Sequence, residues 1–114
     1  MDMSHCAAPL ALMSVFILLD IVTGLIGAAA QGDFSSSKMR EGLFHKSAFY
    51  GAFALAVALE ACGNYVELGV DVPAVGVVAT YVILTEVTSI LENLCIINPD
   101  LKNNKFLAMF GKES

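Results

Sequence analysis

The chain has no tryptophan, three prolines, three cysteines and only six basic residues among its 114. Each shortage excludes something. Without Trp, an aromatic belt at a membrane interface must be built from Tyr and Phe. Cys6, Cys62 and Cys95 are odd in number, widely spaced and form no CxxC pair, so they give neither a disulfide framework nor a zinc site. They read as free thiols in apolar surroundings. Six cations against eleven acids leave a net charge of −5, which makes nucleic acid an unsuitable partner. Charged residues are only 15% of the chain, and 57% of it is hydrophobic. A soluble domain carries about 25% charge, and a chain this short buries about two-thirds of its surface. Water could not be kept from so much apolar side chain, which argues against both a soluble monomer and a disordered chain. No Gly-rich phosphate loop, nucleophile elbow or HExxH motif is present, so no enzymatic apparatus is visible and no cofactor is called for.

What is present is long apolar blocks. The expected architecture is an all-α integral membrane protein with three transmembrane helices over about 6–30, 47–65 and 72–97, in one domain covering 1–114. The first block carries one charge, Asp20, and Pro9 sits in its first turn, where a missing N–H costs little. It does not read as a cleaved leader, because Met1–His5 holds no Lys or Arg and Asp20 interrupts the apolar run. Residues 31–46 read as a polar, basic connection with a turn at Gly32-Asp33 and, in the serine run Ser35-Ser36-Ser37, N-caps for a following helix that is amphipathic from Lys38 and continues into the second span. Gly63-Asn64 ends the second apolar block, and Asn98-Pro99-Asp100 ends the third.

The six cations set an expected orientation. Lys38, Arg40 and Lys46 lie between spans one and two, and Lys102, Lys105 and Lys112 follow span three. In a three-span chain both groups lie on one side. The positive-inside rule makes that side the cytoplasm, with the N-terminus outside and the C-terminus inside. Lys38, Arg40, Lys46, Lys102 and Lys105 are then cytoplasmic basic anchors, and the tail 98–114 suits either an anionic surface or solvent.

Four acids fall within or beside the apolar blocks: Asp20, Glu60, Glu86 and Glu92. No Lys or Arg falls there with them, so they are expected to face protein or water rather than lipid, at an oligomer interface or pore. Asp20, Thr23, Gly24, Gly27 and Ala28 share one side of the first helix. Ala48, Ala52, Ala56 and Glu60 repeat every four residues in the second, and Glu86, Ser89, Glu92 and Asn93 share an arc of the third. Small residues let helices approach closely and polar ones hydrogen-bond across the contact. His5 and His45 read as surface or interfacial residues, because no second ligand is spaced for a metal.

The stretch from Leu19 to Lys46 resembles the phage holin family, which also includes clostridial toxin-secretion holins. The resemblance rests on Asp20, Thr23 and Gly24, a serine-rich turn, and a basic segment with Ser36, Lys38, Arg40, Gly42, Leu43 and Lys46. A second match, EVTSILENL from Glu86 to Leu94, is similar to the family's E-x-x-S-I-x-E-N, carried by Glu86, Ser89, Ile90, Glu92 and Asn93. His45 departs from the second Lys of the family pattern, and Glu60 stands near where the family often has Asp. The resemblance implies a non-enzymatic protein of the bacterial cytoplasmic membrane. It would self-associate in the lipid bilayer and open lesions that release an endolysin or a toxin, without requiring direct contact with either. Met1 and Met3 then offer two translation starts, a device some holins use. Asp20 and Glu86 are expected to face one another or the pore. The residues themselves also suit a small proton-coupled channel or transporter subunit, although no inverted repeat is evident. An inert membrane anchor is a third reading.

Overall fold

A computed structural model describes residues 4–69 and 71–110. Met1, Met3 and Lys112 lie outside the described residues. Three long helices dominate: α1 (Ser4–Gln31), α2 (Ser36–Cys62) and α3 (Ala74–Ile97). A 3-10 turn (Pro99–Lys102) and a short α4 (Asn104–Ala108) follow. No strand is present among the described residues. All three long helices are long and apolar enough to cross a membrane. At about 1.5 Å per residue they measure about 36–42 Å, against a hydrocarbon core of about 30 Å.

The surface is apolar in the way a lipid-facing surface must be. Leu12, Val15, Leu18, Leu19, Val22 and Ile26 of α1 point outward, as do Leu55 and Leu59 of α2 and Val77, Tyr81 and Leu84 of α3. The interior is thin and made of Cys6, Met13, Ile17, Phe53, Ala56, Val75, Ala79 and Val82. Phe49 and Tyr81 meet edge to face across α2 and α3, with ring centroids 6.4 Å apart.

Local chemistry sets the ends. Gly32 adopts φ +65°, which a Cβ would disfavour. Its N–H donates to Ala29 O and the Asp33 N–H to Ala28 O, closing α1 with a Schellman motif. Ser35 caps α2 by accepting from the Lys38 N–H at 3.3 Å.

Two expectations are corrected here. The polar connection is only residues 32–35, because helix α2 runs unbroken from Ser36. Lys46 therefore lies ten residues inside the second long helix, rather than just ahead of a span that begins near residue 47. The small residues Ala48 and Ala52 also do not pack within the subunit: both are exposed, and only Ala56 of that series is buried. The inward side of α2 is formed instead by Lys46, Phe49, Phe53, Ala56, Val57 and Glu60. At about 100° per residue those six share one side, whereas Ala48 lies about 200° around from Lys46.

Helices α1 and α3 form the closest pair, and α2 meets α3 more than it meets α1. The glycines explain the closeness. A Cβ added at Gly27 would stand 3.4 Å from Ile96 Cγ2, and one at Gly24 would stand 3.6 Å from Asn93 Nδ2. A Cβ at Gly51, on the outward side of α2, would meet nothing within 4 Å. Gly27→Leu should therefore weaken the α1–α3 contact by about 1–3 kcal/mol. Gly51→Leu should leave subunit stability unchanged. Unfolding of the detergent-solubilised chain by denaturant checks this, and equal effects of the two substitutions would contradict the packing described.

Candidate functional site

Asp20, Lys46 and Glu86 occupy the same level on three different helices. Asp20 is eleven residues from Gln31 at the end of α1, Lys46 ten from Ser36 at the start of α2, and Glu86 eleven from Ile97 at the end of α3. Those separations are about 15–17 Å at 1.5 Å per residue, all measured from the end that carries the α1–α2 turn. The three side chains meet. Lys46 Nζ donates to Asp20 Oδ2 at 2.6 Å and to Glu86 Oε2 at 2.7 Å. Side-chain exposure is 15% for Lys46, 12% for Asp20 and 2% for Glu86, so the contact is sheltered at all three corners.

This overturns the expectation that the acids lack a cation, and it removes Lys46 from the set of surface anchors. Its ammonium points inward, between two carboxylates. The physical reason is that two acids on neighbouring helices leave an inward-facing lysine better paired there than at the bilayer surface. A signal was present in the sequence. Asp20 and Lys46 are each thirteen residues from Asp33, so a helical hairpin turning there brings them level.

The triad extends one step further. Asn93 Nδ2 donates to Asp20 Oδ1 at 2.7 Å, lies 3.2 Å from the Asp20 carbonyl oxygen and donates to Thr23 Oγ1 at 3.0 Å. Thr23 Oγ1 donates to the Leu19 carbonyl one turn earlier at 2.8 Å. Asp20, Thr23, Gly24, Gly27 and Asn93 therefore lie together at the α1–α3 contact, with Gly27 buried. Ala28 is half-buried beside them. Ser89 and Glu92 line a cleft beside the triad, with Glu92 exposed.

Glu60 is also corrected. It lies two residues from the end of α2, away from the triad, and accepts the Val75 N–H at 2.6 Å. The preceding Pro73 makes no side-chain cap, so Glu60 supplies the acceptor that the first turn of α3 otherwise lacks. His5 Nε2 is 3.4 Å from its other oxygen. Glu60 thus joins the ends of three helices. Of the remaining basic residues, Lys38 pairs loosely with Asp33 at 3.5 Å, and Arg40, Lys102 and Lys105 are exposed. Among the described residues no group of His, Cys, Asp or Glu is arranged to hold a metal.

Residues 3–108 match the family model for the bacteriophage holin family. The chain belongs to the bacteriophage holin family. No curated protein and no solved structure matches it. This holin-family chain is a multi-pass membrane protein, and Asp20, Lys46 and Glu86 meet where its three spans come together.

Removing the Lys46 charge leaves two carboxylates facing one another without a cation. Lys46→Met should destabilise the folded chain in detergent by about 3–5 kcal/mol, the cost of breaking a buried ion pair from one side. Adding Asp20→Asn and Glu86→Gln to the same chain should return most of that loss. Denaturant unfolding of the two variants checks it; a triple variant no more stable than Lys46→Met would contradict the pairing.

Proposed function

We propose that the chain is a holin of the bacterial cytoplasmic membrane. It self-associates there and opens lesions that release a wall hydrolase or a toxin. It performs no enzymatic chemistry and need not touch its cargo. The observation that carries this reading is the Asp20–Lys46–Glu86 triad, enclosed by three membrane-length helices in a member of the holin family. In the single subunit the polar groups satisfy one another and the outside is apolar, so the chain can accumulate in lipid without admitting water. When subunits gather, the same groups can exchange their partners for water and line a lesion, while the apolar outer surface continues to face lipid. The outward small residues of α2, Ala48, Gly51 and Ala52, give neighbouring subunits room to approach.

The orientation that fits is N-terminus outside and C-terminus in the cytoplasm. Moving Lys46 into the triad leaves Lys38 and Arg40 on the α1–α2 side and Lys102 and Lys105 after α3, so the bias remains on one side.

The test is induced expression in bacteria, with membrane potential and culture density followed in time. The unaltered chain should cause an abrupt loss of potential after a fixed delay. Asp20→Asn and Glu86→Gln should each shift that delay, because each weakens a charge-assisted bond holding the closed subunit. Unchanged timing for both variants would contradict a role for the triad in opening. A graded, substrate-dependent flux would favour a transporter, and no change in potential would favour an anchor.

A further inference from the structure

Among the described residues, the triad has a polar-lined route to water from the side of the α1–α2 turn. A cleft of about 410 Å³ runs from the α1–α2 turn, at Asp33, Ser35 and Lys38, to Asp20 and Lys46. It has room for several waters at about 30 Å³ each. Toward the opposite end the path is closed by Met13, Ile17, Phe53 and Val82, all buried in one apolar cluster. A second groove of about 430 Å³ also reaches Lys46, but its walls include Ile17, Leu18, Ile21 and Leu43. The Ser14–Tyr50 hydrogen bond, 2.7 Å long, crosses that groove, and its rim residues Leu18 and Leu43 are exposed and apolar, as a lipid-facing rim would be.

The charge of the triad is unbalanced. Two carboxylates share one ammonium, which leaves a formal −1 when all three are ionised. The charged groups facing this site are Asp20 from α1, Lys46 and, along the cleft, Lys38 from α2, Glu86 and Glu92 from α3, and Asp33 from the turn. Lys38 is matched by Asp33, so it does not offset the excess at the closed end.

We infer that the Asp20–Lys46–Glu86 triad is a proton-binding site, loaded through the cleft from the compartment beside the α1–α2 turn and from that compartment alone. Asp20 is the entry point, because it lines the cleft and Glu86 does not. One proton adds to a carboxylate oxygen of the pair, giving a carboxylic acid and bringing the triad to zero net charge. One of the two ionic hydrogen bonds of Lys46 then becomes a bond to a neutral group. Charge-assisted bonds are about twice as strong as neutral ones, so proton uptake loosens α2 from one of its two neighbours. The site belongs to the single subunit, and its existence does not depend on lesion formation.

Infrared difference spectroscopy on the full chain in lipid vesicles tests this. The vesicles should hold chains of one orientation, checked by trypsin access to Lys102 and Lys105, with pH changed on one side at a time. Acidifying the compartment beside the α1–α2 turn should produce a protonated-carboxyl band of one group per chain that is absent from Asp20→Asn/Glu86→Gln. Acidifying the other compartment should not produce it. Glu92→Gln should retain the band, which separates the triad from the cleft wall. If the double variant fails to insert, Asp20→Asn alone serves, with loss of the turn-side response expected. A band that follows the opposite compartment or both, that persists in the substituted chains, or that never forms would overturn the inference.

Discussion

A lysine ammonium held between carboxylates from two other helices constrains nearly everything else in this molecule. Lys46 must face inward, and that sets the rotation of α2 about its axis. The same rotation turns Phe49, Phe53 and Val57 toward α1 and α3 and leaves Ala48, Gly51 and Ala52 outside. The pairing also sets the relative height of the helices, because Asp20, Lys46 and Glu86 must be level. An apolar contact could slide by a turn at little cost. A bidirectional ion pair in a thin, lipid-surrounded interior cannot, since slippage would leave a charge without a partner.

Much of the fold was legible in the sequence. Three apolar blocks, the turn at Gly32-Asp33 and the stop at Asn98-Pro99 are local signals, and each of them corresponds to an observed helix or helix end. The face shared by Asp20, Thr23, Gly24 and Gly27 was also legible, because helical spacing alone groups those residues. Lys46 was not, because hydropathy and the run of neighbouring cations place it with Lys38 and Arg40 in a basic connection. Its partners lie 26 and 40 residues away, and only the hairpin register brings them to it. For Glu60 the sequence shows only an acid within an apolar block. Its role as acceptor for the start of α3 depends on a loop whose path the sequence does not specify. Of the four-residue repeat Ala48, Ala52 and Ala56, only Ala56 faces inward, because a spacing of four drifts around the helix and small residues do not by themselves specify a contact within the subunit.

An apolar plug separates the triad from the end of the subunit where Glu60 lies and leaves it next to a cleft at the other. Toward the N-terminal end of α1 the helices are sealed by Met13, Phe53 and Val82 and tied together by Glu60. Toward the α1–α2 turn they separate around the cleft that ends on Asp20 and Lys46. A membrane protein that accumulates silently and then opens needs both properties. The closed state must satisfy every polar group internally, and those groups must remain close to a route by which water can reach them.

The most direct measurement is the distance from the Lys46 side-chain nitrogen to its neighbours in a lipid bilayer. Solid-state NMR of the full chain, with nitrogen-labelled lysine and carbon-labelled aspartate and glutamate, reads it through dipolar couplings. Lys46→Arg serves to assign the signal. Lys46 Nζ should couple to the side-chain carboxyl carbons of both Asp20 and Glu86 and show no coupling to lipid phosphorus. Coupling to lipid phosphorus without coupling to either carboxyl carbon would place the ammonium at the bilayer surface and contradict the central claim.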